Sequence, residues 1–142
     1  MYLMSSAVTT SRHQPEDVFA LWADPMSWPT WDPEVRRVDF SGPMRLGATG
    51  TLWPAKGPKT VFTVTVFQAC ERLVDITRLP GATVSFDHRI TKTVQGSELT
   101  VRVELTGPAA PLWKRVLAPG LRDAADAGLR GLIAHLDTVS AS

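Results

Sequence analysis

Two periodicities divide the chain. From Val35 to Gly107 apolar and polar residues alternate, as along strands; from Ala110 to Asp137 apolar residues return every three or four positions, as along a helix. Within the alternating region, strands are expected at residues 35–41, 49–53, 60–69, 72–79, 83–93 and 97–106. Turn residues separate them at Gly42-Pro43, Gly57-Pro58, Cys70-Glu71, Pro80-Gly81 and Gln95-Gly96. Connections this short join only antiparallel neighbours. Val84, Phe86, His88 and Ile90 share one face of their strand, and Leu99, Val101, Val103 and Leu105 share one face of theirs. The sheet therefore has one apolar face and one wet face.

The helical stretch carries Trp113, Val116, Leu117, Leu121, Ala124, Ala125, Gly128, Leu132 and Leu136 on one stripe, with charged residues opposite. It reads as one long amphipathic helix kinked at Pro119, which lacks an N–H and crowds the carbonyl four residues earlier. The alternative is two helices broken before Pro119. The middle of the stripe is small, at Ala124, Ala125 and Gly128, which permits either close packing or space for a ligand. Upstream, residues 5–11 suit a first strand. Pro15 with Glu16 and Asp17 opens a helix that Asp24-Pro25 must end, and a second short helical segment follows in MSWPTW. The expected fold is α+β: a curved antiparallel sheet of about seven strands wrapped around a long C-terminal helix, with two short helices after the first strand, in one domain over residues 1–142.

Fifteen basic and fourteen acidic residues, interspersed, give a net charge of +1 and no electrostatic footprint for nucleic acid. No apolar run reaches membrane-spanning length and no signal peptide is legible at the N-terminus, so a cytoplasmic protein is expected. Cys70 is the single cysteine, and no His or Cys cluster has metal-ligand spacing; neither metal nor cofactor is expected. Lys56-Gly57-Pro58-Lys59-Thr60 lacks the spacing of a phosphate loop.

The element order, PEDVFALWADPMSWPTWDPEV at 15–35, GTLWP at 50–54 and LTGPAAPLWKRVL at 105–117 resemble the START-like, Bet v 1-like superfamily, and within it the polyketide cyclase/dehydrase and lipid-transport group. The resemblance covers nearly the whole chain. It implies a helix-grip fold whose sheet and C-terminal helix enclose an apolar cavity. Members bind lipids, sterols, plant hormones, quinones or polyketide chains, and a minority catalyse cyclisation or dehydration.

An interior cavity of roughly 300 to 1,000 Å³ is thus expected between the middle of the long helix and the sheet. Its candidate lining is Trp28, Trp31, Trp53, Phe62, Phe86, His88, Trp113, Leu117, Leu121 and Ala124. An indole suits a pocket wall as well as a core, and core packing is the competing reading for each tryptophan, above all Trp22. His88 stands between Phe86 and Ile90 on the apolar face, where an imidazole is costly unless hydrogen-bonded. It is read as a ligand anchor or an acid/base catalyst, against a purely structural role. Arg78, sharing a face with Val74 and Ile76, is a second polar candidate against the plainer reading of an arginine snorkelling at the sheet rim.

Three functions follow. The first is binding of a hydrophobic or amphipathic small molecule: a lipid, polyketide or aromatic compound. The second is a polyketide cyclase/dehydratase-type enzyme with His88 as acid/base. The third is an interaction module with a filled cavity. Polyketide-acting cyclases of the superfamily tend to line their cavities with Arg, Ser, Tyr and His, whereas here the single tyrosine is Tyr2. The scarcity of inward polar positions favours the first reading. A second copy of the chain is a candidate partner.

Overall fold

The computed structural model of the chain describes residues 1–140. Strand β1 (Tyr2–Ser11) leads into helix α1 (Pro15–Trp22), a 3₁₀ turn (Pro25–Ser27) and the single-turn α2 (Trp28–Trp31). Then come β2 (Val35–Asp39), β3 (Thr49–Pro54), β4 (Thr60–Gln68), β5 (Arg72–Leu79), β6 (Ala82–Thr93) and β7 (Gly96–Thr106). Two helices end the described chain, α3 (Ala110–Leu121) and α4 (Ala124–Ser140). Pro15 occupies the start of α1 with Glu16 and Asp17 in its first turn, where acids complement the helix dipole.

The seven strands form one antiparallel sheet in the order β1-β7-β6-β5-β4-β3-β2. Strands β2 to β7 make the expected meander, and β1 closes onto the last of them. Bulges at Leu3/Ser5, Val35/Arg37 and Val64/Val66 bend the sheet toward the helices. The bulge in β4 places both Val64 and Phe67 on the concave face, where the Phe67 ring meets Phe19 of α1 edge-on at 5.5 Å. The convex face carries ion pairs, among them Asp87 with Arg72 and Arg89, and Arg102 with Glu104.

The C-terminal helix differs from both readings of it. It passes through Pro119 and breaks three residues later, at Arg122–Asp123. The reason lies in β1. The Ser5 hydroxyl donates to the Arg122 carbonyl (3.1 Å) and accepts from the Ala125 N–H (3.0 Å), supplying partners to groups that a helix break leaves unpaired. Pro119 weakens the helix, and Ser5 fixes where it parts.

Most of the small stripe serves close packing. Gly128 lies against the Asp32 carboxylate, and a side chain at Gly131 would run into the Trp31 carbonyl and Pro33. Ala125 is 1% exposed. Gly128 and Gly131 let α4 sit directly on the α2 turn and Ala125 is buried where its N–H meets Ser5 of β1, so Ala125 and Gly128 open no space. At its far end α4 is clasped to the start of the chain by the buried His13 ring, 2.7 Å from the Asp137 carboxylate.

The core on the concave face is two clusters. The larger joins α1, α2 and α4 to β4, β5 and β7 through residues such as Val18, Trp22, Phe62, Leu73, Leu99 and Leu132. The smaller joins α3 to β6 and β7 through Ala82, Val84, Val103, Leu105 and Ala110.

Candidate functional site

Strand register brings the concave-face residues into rows across the sheet. One row runs Ser5, Val103, Phe86, Asp75, Val64. The next runs Ala7, Val101, His88, Leu73, Phe67. These two rows lie along the seam between the clusters, since Phe86 packs with the smaller cluster while Leu73, Val64 and Val101 belong to the larger.

His88 faces inward, as the alternation of β6 predicts. Its Nδ1 lies 3.0 Å from the Leu73 carbonyl, and its ring lies 5.0 Å from that of Trp22. A carbonyl can only accept, so in the neutral ring Nδ1 holds the proton and Nε2 presents a lone pair. Burial pushes the imidazole pKa below its ordinary value; the hydrogen bond to the Leu73 carbonyl, the charge of nearby Asp87 and the proximity of the Phe86 carbonyl offset this only in part. Neutral His88 is thus an acceptor on the inner face. The residue remains half-buried, as does Phe86 beside it.

The second polar group was not anticipated. Asp75 of β5 is 6% exposed, pairs laterally with Phe86 and Val64, and has no hydrogen bond or ion pair among the described residues. Loss of hydration alone raises its pKa to about 7. The sequence disguises it. In Leu73-Val74-Asp75-Ile76-Thr77-Arg78-Leu79 both faces hold apolar residues, and the run Val74, Ile76, Arg78 competes for the interior. Leu73, Asp75 and Thr77 are the ones that turn inward, while Arg78 is exposed on the convex face, in keeping with its plainer reading. An aspartate flanked by apolar residues inside a strand was the available signal.

The other expected residues fall into three groups. Phe86, Trp113, Leu117, Leu121 and Ala124 come together, all half-buried, around the smaller cluster. The Trp113 indole donates to the Pro80 carbonyl at 2.9 Å, tying α3 to the β5–β6 turn. Trp28, Trp31 and Phe62 lie in the larger cluster, the two tryptophans each 8% exposed. Their indole donors are satisfied within the protein, Trp28 by the Trp22 carbonyl and Trp31 by the Ser27 hydroxyl. Phe62 packs between Trp28 and Phe40, over Gly50, where any side chain would strike its ring. Trp53 stands apart, on the convex face, with the Arg37 guanidinium 4.5 Å above its ring.

Asp32 is a further shifted carboxyl, raised to about 6 by burial against the opposing hydrogen bond from the Glu34 N–H, and it packs on α4 rather than facing the seam. Two open grooves, of about 390 Å³ beside Lys59, Val61 and Thr77 and about 230 Å³ beside Phe40, Thr49 and Gly50, lie toward the β2–β5 side. Neither is the cavity expected under the middle of the helix. Among the described residues, no three His, Cys, Asp or Glu side chains are grouped to hold a metal ion, and no helix is long and apolar enough to cross a membrane.

Residues 5–137 match the family described as "Polyketide cyclase / dehydrase and lipid transport". The chain belongs to this family. With it comes membership of the START-like, Bet v 1-like superfamily, and solved structures of the same fold agree. StfQ, a di-domain ARO/CYC from the steffimycin biosynthetic pathway, superposes with a TM-score of 0.76 at 15% identity, over 96% of this chain and 51% of StfQ. Protein NE0264 from Nitrosomonas europaea gives 0.74 at 13% identity, over 96% of both chains. Ara h 8.0201 gives 0.71 at 14%, over 94% of this chain and 96% of its own. At these identities the likeness is one of fold. No curated protein matches the chain.

Proposed function

We propose that this member of the polyketide cyclase/dehydrase and lipid-transport family binds a hydrophobic or amphipathic small molecule along the seam, between α3 and the concave face of β4 to β6. The observation that carries this reading is the company kept there by the inner face. A neutral imidazole that accepts at Nε2 and a carboxyl without a donor share the inner face with Phe86, while Leu117, Leu121 and Ala124 pack with Phe86 on the smaller cluster, and these four apolar residues keep part of their surface. Binding sites are mostly apolar with a few polar groups that fix orientation, and this is that composition.

Native mass spectrometry of the purified chain with a naphthalene-based fluorescent probe tests it. A saturable one-to-one complex is expected, weakened by Ala124→Leu. Probe binding that is absent, or that is unchanged in Ala124→Leu, would count against the seam as the site.

A second reading is favoured by the two shifted groups: a cyclase or dehydratase with His88 as acid/base. General acid/base catalysis is most effective when a pKa lies near the working pH; Asp75, at about 7, meets that condition and lies diagonal to His88 across β5 and β6. His88→Gln separates the readings. Catalysis predicts turnover lowered by roughly 10² to 10⁴ with affinity nearly kept; anchoring predicts affinity lowered by about 0.5 to 1.5 kcal/mol.

A further inference from the structure

The seam holds two hydrogen-bonding groups that the protein leaves facing one another's neighbourhood without a donor. His88 commits its ring proton to the Leu73 carbonyl and offers only a lone pair. Asp75 is more than nine-tenths buried and receives no N–H or O–H from any described residue. Its lateral neighbours are Phe86 and Val64, and its same-face neighbours along β5 are Leu73 and Thr77. Asp75 and His88 are diagonal across β5 and β6, because Leu73 pairs with His88 and Asp75 with Phe86; such diagonal positions lie roughly 7–8 Å apart. One small head group can reach both.

The charges of the surrounding elements do not compensate Asp75. Strand β4 contains no titratable side chain between Thr60 and Gln68. On β5 and β6, Arg72, Asp87 and Arg89 pair among themselves on the convex face, and on β7 Arg102 pairs with Glu104. Lys114 of α3 reaches the Tyr2 ring at the outer end of β1. Among the described residues of β4 to β6, His88 is the titratable group that shares the inner face with Asp75.

Resting on the reading of the seam as a ligand site, we propose that its ligand carries a protonated amine, held by the Asp75 carboxylate and the His88 Nε2 lone pair, with an aromatic or aliphatic body against Phe86 and α3. An ammonium has donors and no acceptor, which matches the ionised Asp75 carboxylate and the Nε2 of neutral His88, both of which accept. It also brings the positive charge that the fold withholds from a desolvated carboxylate, and a buried charge is tolerated when paired and hydrogen-bonded.

The test compares three probes of one body: 2-naphthylmethylamine, 2-naphthylmethanol and 2-acetylnaphthalene, titrated against the whole chain by calorimetry at pH 8. The amine is expected to bind at least about tenfold more tightly than the alcohol, the usual worth of a hydrogen bond to a charged group. Asp75→Asn should bring that ratio down to about one. An independent arm needs no variant: on lowering the pH from 8 to 5 the amine should lose affinity as Asp75 takes up a proton, and its advantage over the alcohol should shrink toward one. Alcohol and ketone binding as well as the amine, or a ketone whose affinity rises as the pH falls, would overturn the amine assignment and leave the seam as a site for neutral molecules. Failure of all three probes would instead overturn the seam as a ligand site, and the amine assignment with it.

Discussion

A buried carboxyl that no donor reaches destabilises the fold it sits in, and Asp75 makes that cost measurable. The native chain keeps the Asp75 proton up to about pH 7, while an unfolded chain releases it near the ordinary 3.8. Between those values the native state binds more protons, so stability falls as the pH rises, and above about 7 the penalty is constant, at most on the order of 4 kcal/mol. Asp75→Asn should therefore raise the melting temperature by several degrees at pH 8 and scarcely at all at pH 4; equal gains at both would acquit the carboxyl. His88 acts with the opposite sign, its lowered pKa removing stability as the pH falls below the usual imidazole range. The two residues also differ in how they could be read. His88 lies among Val84, Phe86 and Ile90, whose alternation permits one register. Asp75 lies where both faces of the strand are apolar, and side-chain pattern alone does not choose between them.

At the scale of elements, the strands and α1 were legible because turn residues and proline bound them, and observed and expected bounds differ by a few residues at most. The break in the C-terminal helix was not. Pro119 marks a weak place, but the parting at Arg122–Asp123 is set by Ser5, 117 residues away from Arg122 in sequence, and no local pattern encodes so distant a partner. Ser5→Ala should cost about 1 to 3 kcal/mol, the penalty for leaving a buried polar group unpaired. Chemical denaturation gives that loss, and faster amide exchange near Ala125 would locate it. The small residues of α4 likewise divide by environment. Ala125→Leu should destabilise by about 1 to 3 kcal/mol, since its site is filled. Ala124→Leu, at a half-buried position, should be tolerated in thermal melts yet reduce probe binding. Comparable losses of stability in both variants would mean that α3 and α4 meet the sheet without space between them.

For the whole molecule, the two-cluster core carries a consequence for how substitutions combine. Ile90 belongs to the larger cluster and Leu105 to the smaller, and neither is in a position to feel the other's loss directly. Ile90→Val should cost about 0.5 to 1.5 kcal/mol and Leu105→Ala about 2 to 5 kcal/mol. In the free chain the double variant should equal their sum to within about 0.5 kcal/mol, as for sites without shared partners. A molecule lying in the seam would touch both clusters at once, and through it each would begin to sense the other. Bound ligand should then turn an additive pair into a coupled one, so that a thermodynamic cycle measured with and without it reads the filling of the seam as cooperativity between the two halves of the core.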